Sequence, residues 1–289
     1  MKNNIKKFIP KPIKKRLKSV IDFIEDIVDS LTLSLYRDTL TPPHKLRCRV
    51  GPFSGARYYR AVGEEFFQYF KDLGGLELNE DLLDVGCGCG QMAVPLTKYL
   101  GQSGTYEGFD IIGTMIEWCR KNISSKYPNF HFGLADLFNK MYNPKGKYKA
   151  SEYKFPYRNE SFDFVFAKSV FTHMLPQDME NYFSEIARVL KRGKRCLISF
   201  FLSNKESLKL INTGQSTLDF KCEFGKYRTV DPNTPEGAVC YDEAFILGLY
   251  EKYGLKIKQP IRYGSWCGRL NFLSYQDIII ASKEQISAR

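Results

Sequence analysis

The densest chemistry in the chain lies in Leu82-Leu83-Asp84-Val85-Gly86-Cys87-Gly88-Cys89-Gly90-Gln91. There an apolar run ends in an acid and passes through three glycines before a helical pattern begins. Glycines at such a turn let the backbone bend sharply and approach a ligand with no Cβ in the way. The N–H groups that open the following helix then face an anionic group. Pro95 is tolerated only in the first turn or so, which sets the helix start near Gln91 or Met92. Asp110 and Asp136 close the next two apolar runs. Each acid alone reads equally as a helix cap or a solvated turn; three at successive strand ends, with the glycine turn, point to a nucleotide-type ligand. Only three histidines exist, His44, His131 and His173. His173, in Ser169-Val170-Phe171-Thr172-His173-Met174, follows the fourth strand, at the carboxyl edge where open α/β sheets bind ligands. Its near-neutral intrinsic pKa suits it to general-base work, the alternative being a packed structural role.

These residues need a scaffold that brings strand ends together. Apolar runs predict strands at Leu82–Val85, Thr105–Phe109, Phe130–Leu134, Phe162–Ala167 and Cys196–Leu202, with two more near Lys256–Arg262 and Gln276–Ala281. Helical patterns occupy residues 56–73, Met92–Leu100, Thr114–Ile123, Gln177–Leu190 and Asp242–Tyr253, with Gly193 as the expected stop of the fourth. This alternation predicts an α/β fold, a doubly wound, mainly parallel sheet with helices on both faces. Residues 1–45 form a basic arm and linker ending at Thr41-Pro42-Pro43, and residues 46–289 form the domain. In the arm, Ile13, Leu17, Val20, Ile21, Ile24, Ile27, Val28 and Leu31 mark one face of an amphipathic helix.

The glycine turn distinguishes two families. The dinucleotide fingerprint wants G-x-G-x-x-G, whereas here the third glycine comes one residue early and Gln91 stands in its place. Gly86-x-Gly88-x-Gly90 behind Asp84 resembles the class I S-adenosylmethionine-dependent methyltransferases, and residues 80–202 follow that family in order. The resemblance implies a seven-stranded Rossmann-like sheet and S-adenosyl-L-methionine as cofactor. It places Asp84, Gly86, Gly88 and Gly90 at the cofactor turn and Asp110 on the ribose hydroxyls, a geometry that nucleotide-binding α/β folds share. It sets Ile111 and Ile112 against the adenine face, Ala135, Asp136 and Leu137 at the adenine amino group, and Ala167, Lys168 and Ser169 near the methionine end. The basic start and Gly264-Ser265-Trp266-Cys267-Gly268 are similar to segments of bacterial methyltransferases of uncharacterised acceptor.

Acceptor classes are narrowed by what is missing. No [Asp/Asn]-Pro-Pro-[Tyr/Phe] follows the fourth strand, against exocyclic amines of bases, and no Pro-Cys stands there, against the covalent route to cytosine carbon. Asp163 starts its strand rather than ending it, so a metal-dependent catechol type is unsupported and no metal is expected. The remaining expectation is transfer to a small molecule, a saccharide or a lipid-linked acceptor, with oxygen as the target. Two insertions, residues 139–160 and 203–240, are expected to fold over the carboxyl edge; the first carries Tyr142, Tyr148, Tyr153, Phe155 and Tyr157.

The net charge of +11 belongs to the arm. Eight Lys and Arg within residues 1–19, with no acid before Asp22, leave +3 on the other 270 residues. A near-neutral body argues against a nucleic-acid groove. A basic helix with an apolar stripe suits contact with an anionic membrane through residues 1–24. Two readings from other classes remain open: a non-catalytic cofactor-fold module that scaffolds a membrane-proximal complex, and a nucleic-acid methyltransferase recruited by the arm. No apolar run reaches the length of a spanning helix. Eight scattered cysteines, without a CxxC pair, read as reduced thiols. The expected location is cytoplasmic, peripheral to a membrane if the arm binds one.

Overall fold

Apolar residues with a two-residue repeat on both faces require a sheet covered on both sides, and the computed structural model has that architecture. It describes residues 27, 28, 31, 40–51 and 55–285. The expected arm helix lies outside the described residues except at Ile27, Val28 and Leu31, which are helical and exposed. In chain order the helices are α1 (His44–Arg47), α2 (Ala56–Asp72), α3 (Ala93–Leu96), α4 (Gly113–Cys119), α5 (Pro176–Val189), α6 (Lys205–Asn212) and α7 (Glu243–Lys252). The main strands are β1 (Asp81–Val85), β2 (Thr105–Asp110), β3 (Phe130–Leu134), β4 (Phe162–Ala167) and β5 (Leu190–Phe200). A small sheet follows, from β6 (Leu202–Ser203), β7 (Cys222–Glu223), β8 (Tyr227–Thr229) and β9 (Val239–Asp242). The chain returns to the main sheet with β10 (Leu255–Ile257) and β11 (Asp277–Lys283).

The seven-stranded sheet has the order β10-β11-β5-β4-β1-β2-β3. Strands β1 to β5 pair in parallel, and β11 runs antiparallel between β5 and β10. The strand order reverses between β1 and β4, so the chain leaves β1 and β4 in opposite directions and opens a crevice at their carboxyl ends. On one face, Val62, Phe66 and Phe70 of α2 pack with Ile116 and Cys119 of α4 against Tyr106, Phe164 and Phe166. On the other, Met179, Phe183 and Ile186 of α5 and Leu249 and Tyr250 of α7 cover Leu83, Val165 and Ile198.

Three local differences from the sequence reading have clear causes. Helix α5 stops at Val189 because Leu190 is already extended and begins β5. Gly193 is therefore not a helix stop. It sits at φ +71° in the stretch where the β4–β5 register shifts between Phe162 and Phe164. The predicted strand Cys196–Leu202 is two strands: the Asp277 carboxylate takes the Leu202 N–H at 2.7 Å, and β6 leaves to pair with β9. In the first insertion, Tyr153, Phe155 and Tyr157 turn inward to the α5 core instead of lining a cleft. Glu185 accepts the Phe155 N–H at 2.7 Å, and Asn181 donates to the Ala150 and Tyr153 carbonyls, which pins that segment to α5.

The edge of the sheet opposite the crevice is closed by charge. Arg195 on β5 donates in a fork to both Glu80 oxygens, each at 2.6 Å, and to the Gly74 and Gly75 carbonyls, with its plane over Phe164. Burial alone would raise the Glu80 pKa; hydrogen bonds from Arg195, the Glu77 N–H and Lys194 hold it below the ordinary 4.5. Breaking a buried pair leaves an uncompensated charge, at about 3–5 kcal/mol. Arg195→Met is expected to cost about 3 kcal/mol in urea denaturation, the low end because Lys194 stays 3.1 Å from Glu80. Glu80 contributes stability only while ionised, so the gap between wild type and variant should narrow as pH falls below 4.5.

Candidate active site

The turn after β1 takes its shape from backbone conformations that only glycine adopts freely. Gly86, Gly88 and Gly90 have φ of +80°, +53° and +79°. At Gly86 a Cβ would lie 2.4 Å from Val170 Cγ2, and at Gly90 it would lie 2.7 Å from Ile123 Cδ1. At Gly88 the same test finds nothing nearer than Val50 at 3.6 Å. The outer glycines are thus fixed by packing, and the middle one faces the open side of the turn.

Asp110, at the end of β2, holds that turn in place. Its Oδ2 accepts the Gly88 N–H at 2.8 Å and its Oδ1 accepts the Ile112 N–H at 2.9 Å. A carboxylate has about four acceptor sites, so capacity remains for a ligand hydroxyl beside these N–H groups. Burial raises the Asp110 pKa, and the N–H groups of Ile112, Gly88 and Ile111 oppose that shift. Ile112 is buried with Met115, Leu46, Tyr59 and Cys89, and Ile111 packs at the border of this cluster and the α5 core. Helix α1 straddles residue 45 and packs Leu46 against this side of the turn, while Tyr59 of α2 donates to the Cys89 carbonyl at 2.8 Å.

The remaining predicted residues divide by where their side chains point. Asp84 is 1% exposed, accepts the Tyr106 hydroxyl at 2.6 Å, and is pushed up to about 7 by burial. It supports the turn from behind. Leu137 and Ala167 are buried in the α5 core, and Ala135 is buried with its N–H on the Asp110 carbonyl. Asp136 is half-buried just beyond β3, 3.7 Å from Lys147. Ser169 takes φ +59°; its N–H donates to Ser199 Oγ at 2.8 Å and its hydroxyl to Gln276 Oε1 at 2.9 Å. Lys168 extends toward Gln91 and the Phe66 ring.

His173 ends a single helical turn, Phe171–His173, beyond β4. Its Nδ1 lies 2.9 Å from the Glu236 carbonyl oxygen. A carbonyl only accepts, so Nδ1 carries the hydrogen and Nε2 is left as the basic nitrogen. Burial lowers the His173 pKa from its ordinary 6.5, with the Glu236 carbonyl opposing. The Tyr142 ring meets the imidazole edge-on at 5.3 Å and also borders the Ile112 cluster, so it links the Asp110 side of the crevice to the histidine. Residues 203–240 close over this region: Lys140 of the first insertion donates to the Asn233 carbonyl at 2.8 Å, beside the Glu236 contact. The other two histidines are elsewhere, His131 on Glu107 at the surface and His44 buried in α1.

Sequence reasoning missed Val50, Tyr59, Val170, Ser199, Gln276 and the Glu236 carbonyl. None carries a motif, and each reaches the crevice through a contact distant in the chain. Tyr142 had a signal, its aromatic character within an insertion.

This geometry suits a nucleoside-bearing ligand whose ribose meets Asp110. Residues 83–198 match the family model described as a methyltransferase domain. The chain is 27% identical over 140 residues to Methyltransferase GfsG of Streptomyces halstedii, covering 48% of this chain and 44% of that protein. It is 29% identical over 127 residues to O-methyltransferase cnsE of Penicillium expansum, covering 43% and 39%. The matched segment thus spans less than half the length of either relative. Among solved structures, the PH0226 protein of Pyrococcus horikoshii OT3 superposes with TM-score 0.53 and 17% identity, covering 78% of this chain and 91% of that one, a likeness of fold.

The Gly86 contact can be tested through stability. With Val170 stiff at χ1, Gly86→Ala is expected to destabilise the protein by about 1–3 kcal/mol in thermal or urea melts. Adding Val170→Ala should recover the steric part and leave about 1 kcal/mol for the positive φ. If the double variant is no more stable than Gly86→Ala, the overlap is not the cause.

Proposed function

We propose that this chain, whose residues 83–198 form a class I S-adenosylmethionine-dependent methyltransferase domain, methylates an oxygen of a small-molecule, saccharide or lipid-linked acceptor with His173 as general base. The observation that carries the reading is the His173 tautomer, with Nδ1–H on the Glu236 carbonyl and Nε2 basic at the carboxyl edge of β4. One relative is named an O-methyltransferase, which supports oxygen as the target.

The residues fit the cofactor. Gly88 leaves the turn open on its outer side, Asp110 keeps acceptor capacity beyond its backbone partners, and the partly buried Ile111 offers an apolar side chain beside it, whereas Ile112 is buried beneath. Asp136 is the half-buried acid just beyond the next strand. When bound, the cofactor supplies an electrophilic methyl group on a sulfonium, leaving the protein to position the acceptor and manage its proton. With the cofactor supplying the methyl group, His173 Nε2 would take the proton that the acceptor's hydroxyl gives up. The imidazole becomes imidazolium, stabilised by the Glu236 carbonyl, and returns its proton to solvent. Tyr142 and residues 203–240 narrow the space beside His173, which favours a planar or ring-bearing acceptor.

Calorimetric titration with S-adenosylmethionine and S-adenosylhomocysteine tests the cofactor site. Asp110→Ala is expected to weaken both by about 100-fold or more, since two hydrogen bonds to a charged group are lost. A folded wild type that binds neither would favour the scaffold reading. With an acceptor in hand, His173→Ala should lower turnover about 10²- to 10⁴-fold while cofactor affinity holds. Only neutral His173 accepts a proton and its pKa is lowered, so the acid limb of kcat/KM should fall below pH 6.5 and vanish in the variant. Turnover unchanged in His173→Ala would remove the base from the mechanism.

A second reading concerns location. The loop from Arg269 to Tyr275 is pinned by Arg269 to Glu206 and Asp277, by Ser274 to Glu65 and by Tyr69 to the Leu273 carbonyl, yet Leu270 is 98% exposed and Phe272 and Leu273 face solvent. Among the described residues no helix is long and apolar enough to cross a membrane. A rigid apolar tip on a chain with a basic start supports peripheral contact with an anionic bilayer, at about 1 kcal/mol per basic residue. The full chain should pellet with anionic vesicles at low salt. Leu270→Glu with Phe272→Ser, or Lys14, Lys15, Arg16 and Lys18 changed together to Ser, should leave it in the supernatant. A wild type that never pellets would exclude the contact.

A further inference from the structure

The carboxyl ends of β1 to β5 share one edge of the sheet, and the amino end of the antiparallel β11 joins them there, with Asp277 opposite Phe200. The loop from Arg269 to Tyr275 therefore stands at one end of that edge, and the first insertion, beyond β3, at the other. Five strand spacings, about 24 Å, separate β11 from β3, and the crevice between β4 and β1 lies between them. Both ends expose apolar side chains. At the β3 end these are Leu134, Phe138, Met141 and Tyr148, each half exposed or more. The amino edge, closed by Arg195 and Glu80, exposes Leu78 alone of the large apolar side chains among the described residues beyond the arm.

The exposed side chains of the insertion sit on a fixed backbone. The Phe138 N–H donates to the Tyr148 carbonyl at 2.8 Å, and Asn139 Oδ1 accepts the Met141 and Tyr142 N–H groups at 3.0 and 2.9 Å. Gly146 packs so closely on Leu137 that a Cβ there would lie 2.1 Å from the Leu137 carbonyl oxygen. A surface ordered before contact loses little entropy on docking, and contiguous exposed apolar groups mark interaction sites. Charge identifies the partner. Residues 137–151 carry Lys140, Lys145, Lys147 and Lys149 and no acid. The Lys147–Asp136 and Lys149–Glu152 pairs are open to solvent and hold those lysines weakly. Lysines interleaved with apolar side chains match an anionic bilayer, whose headgroups meet the cations while its acyl boundary takes the apolar groups. A two-fold contact with a second copy would instead set these lysines against themselves.

We propose that the first insertion is a second bilayer contact, so that the carboxyl edge of the sheet faces the membrane and the crevice opens onto the headgroup layer. Of the acceptor classes named above, this pose favours the lipid-linked one. It rests on the peripheral contact proposed for the Arg269–Tyr275 loop, and the labels below separate the two. The full chain is bound to phosphatidylglycerol–phosphatidylcholine vesicles that contain nitroxide-labelled lipid. A fluorophore at Met141→Cys should be quenched and one at Leu78→Cys should not, each with Cys48→Ser and Cys222→Ser to remove the accessible native thiols. Lys145, Lys147 and Lys149 changed together to Ser should lower the vesicle partition coefficient about 100-fold at low salt. These are surface positions, and circular dichroism should find the variants folded. A Met141 label left unquenched on bound protein, or a Leu78 label quenched as strongly, would overturn the pose and leave the peripheral contact standing. Binding indifferent to the three lysines would do the same. A vesicle-free dimer that Phe138→Ser dissociates would also overturn it, assigning this surface to a second copy. A wild type that never binds the vesicles would remove both readings.

Discussion

The crevice depends on the Asp110 carboxylate bridging the ends of two strands. By accepting the N–H groups of Gly88 and Ile112 it locks the glycine turn of β1 to the first residues beyond β2. Backbone N–H groups at such a turn have no ladder partner and would otherwise need water. The same acid that builds the turn is the one that, under the proposed function, would meet the ligand. The packing around it follows from this choice: Val170 fills the space that a side chain at Gly86 would occupy, and Ile123 does so at Gly90.

The main sheet and the cofactor half of the site were legible because their signals are local. Strands buried on both faces read as apolar runs, and the left-handed conformations of the turn demand glycine at fixed positions. The acids at the ends of β1, β2 and β3 were legible as a set, but not their division of labour. Asp84 turns inward to Tyr106 and Asp110 takes the Gly88 N–H, each across 22 residues, while Asp136 is half-buried beside Lys147. Strand periodicity tells only which face a residue shares, so Leu137 and Ala167 could be placed at strand ends but not assigned to core or crevice.

The acceptor half was legible only in outline. The insertions were visible as lengths between strands, yet their aromatic residues went to different places for reasons no pattern carries. Glu185 and Asn181 draw residues 150–157 into the α5 core, while Tyr142 remains at the crevice. The segment Gly264–Gly268 attracted notice by resemblance, and its role is structural. Asp277 accepts from the Gly264 N–H, Trp266 Nε1, the Leu202 N–H and Arg269, binding the small sheet to the end of β11. Four donors on one buried carboxylate explain why the strand splits at Phe201 and why the insertion that follows has a defined place over His173.

Electrostatics connect the two halves. Asp110 faces the glycine turn, Asp84 lies behind it on Tyr106, and Glu65 and Asp84 act on Lys168 through space. A site with more negative than positive groups attracts a cationic sulfonium and holds its neutral thioether product less well, since the charge that the acids stabilise disappears on transfer. That preference carries a cost before binding: burial raises both Asp84 and Asp110, and hydrogen bonds from Tyr106, Gly88 and Ile112 offset only part of it. His173 faces a carbonyl rather than a carboxylate, and burial, with Lys168 adding to it, lowers its pKa against the pull of that carbonyl, so it stays neutral at physiological pH. A carboxylate in the place of the Glu236 carbonyl would raise its pKa and protonate the base before an acceptor arrived. Under the proposed function, acids on one side of the crevice and a neutral histidine on the other would let it hold a cation and still receive a proton.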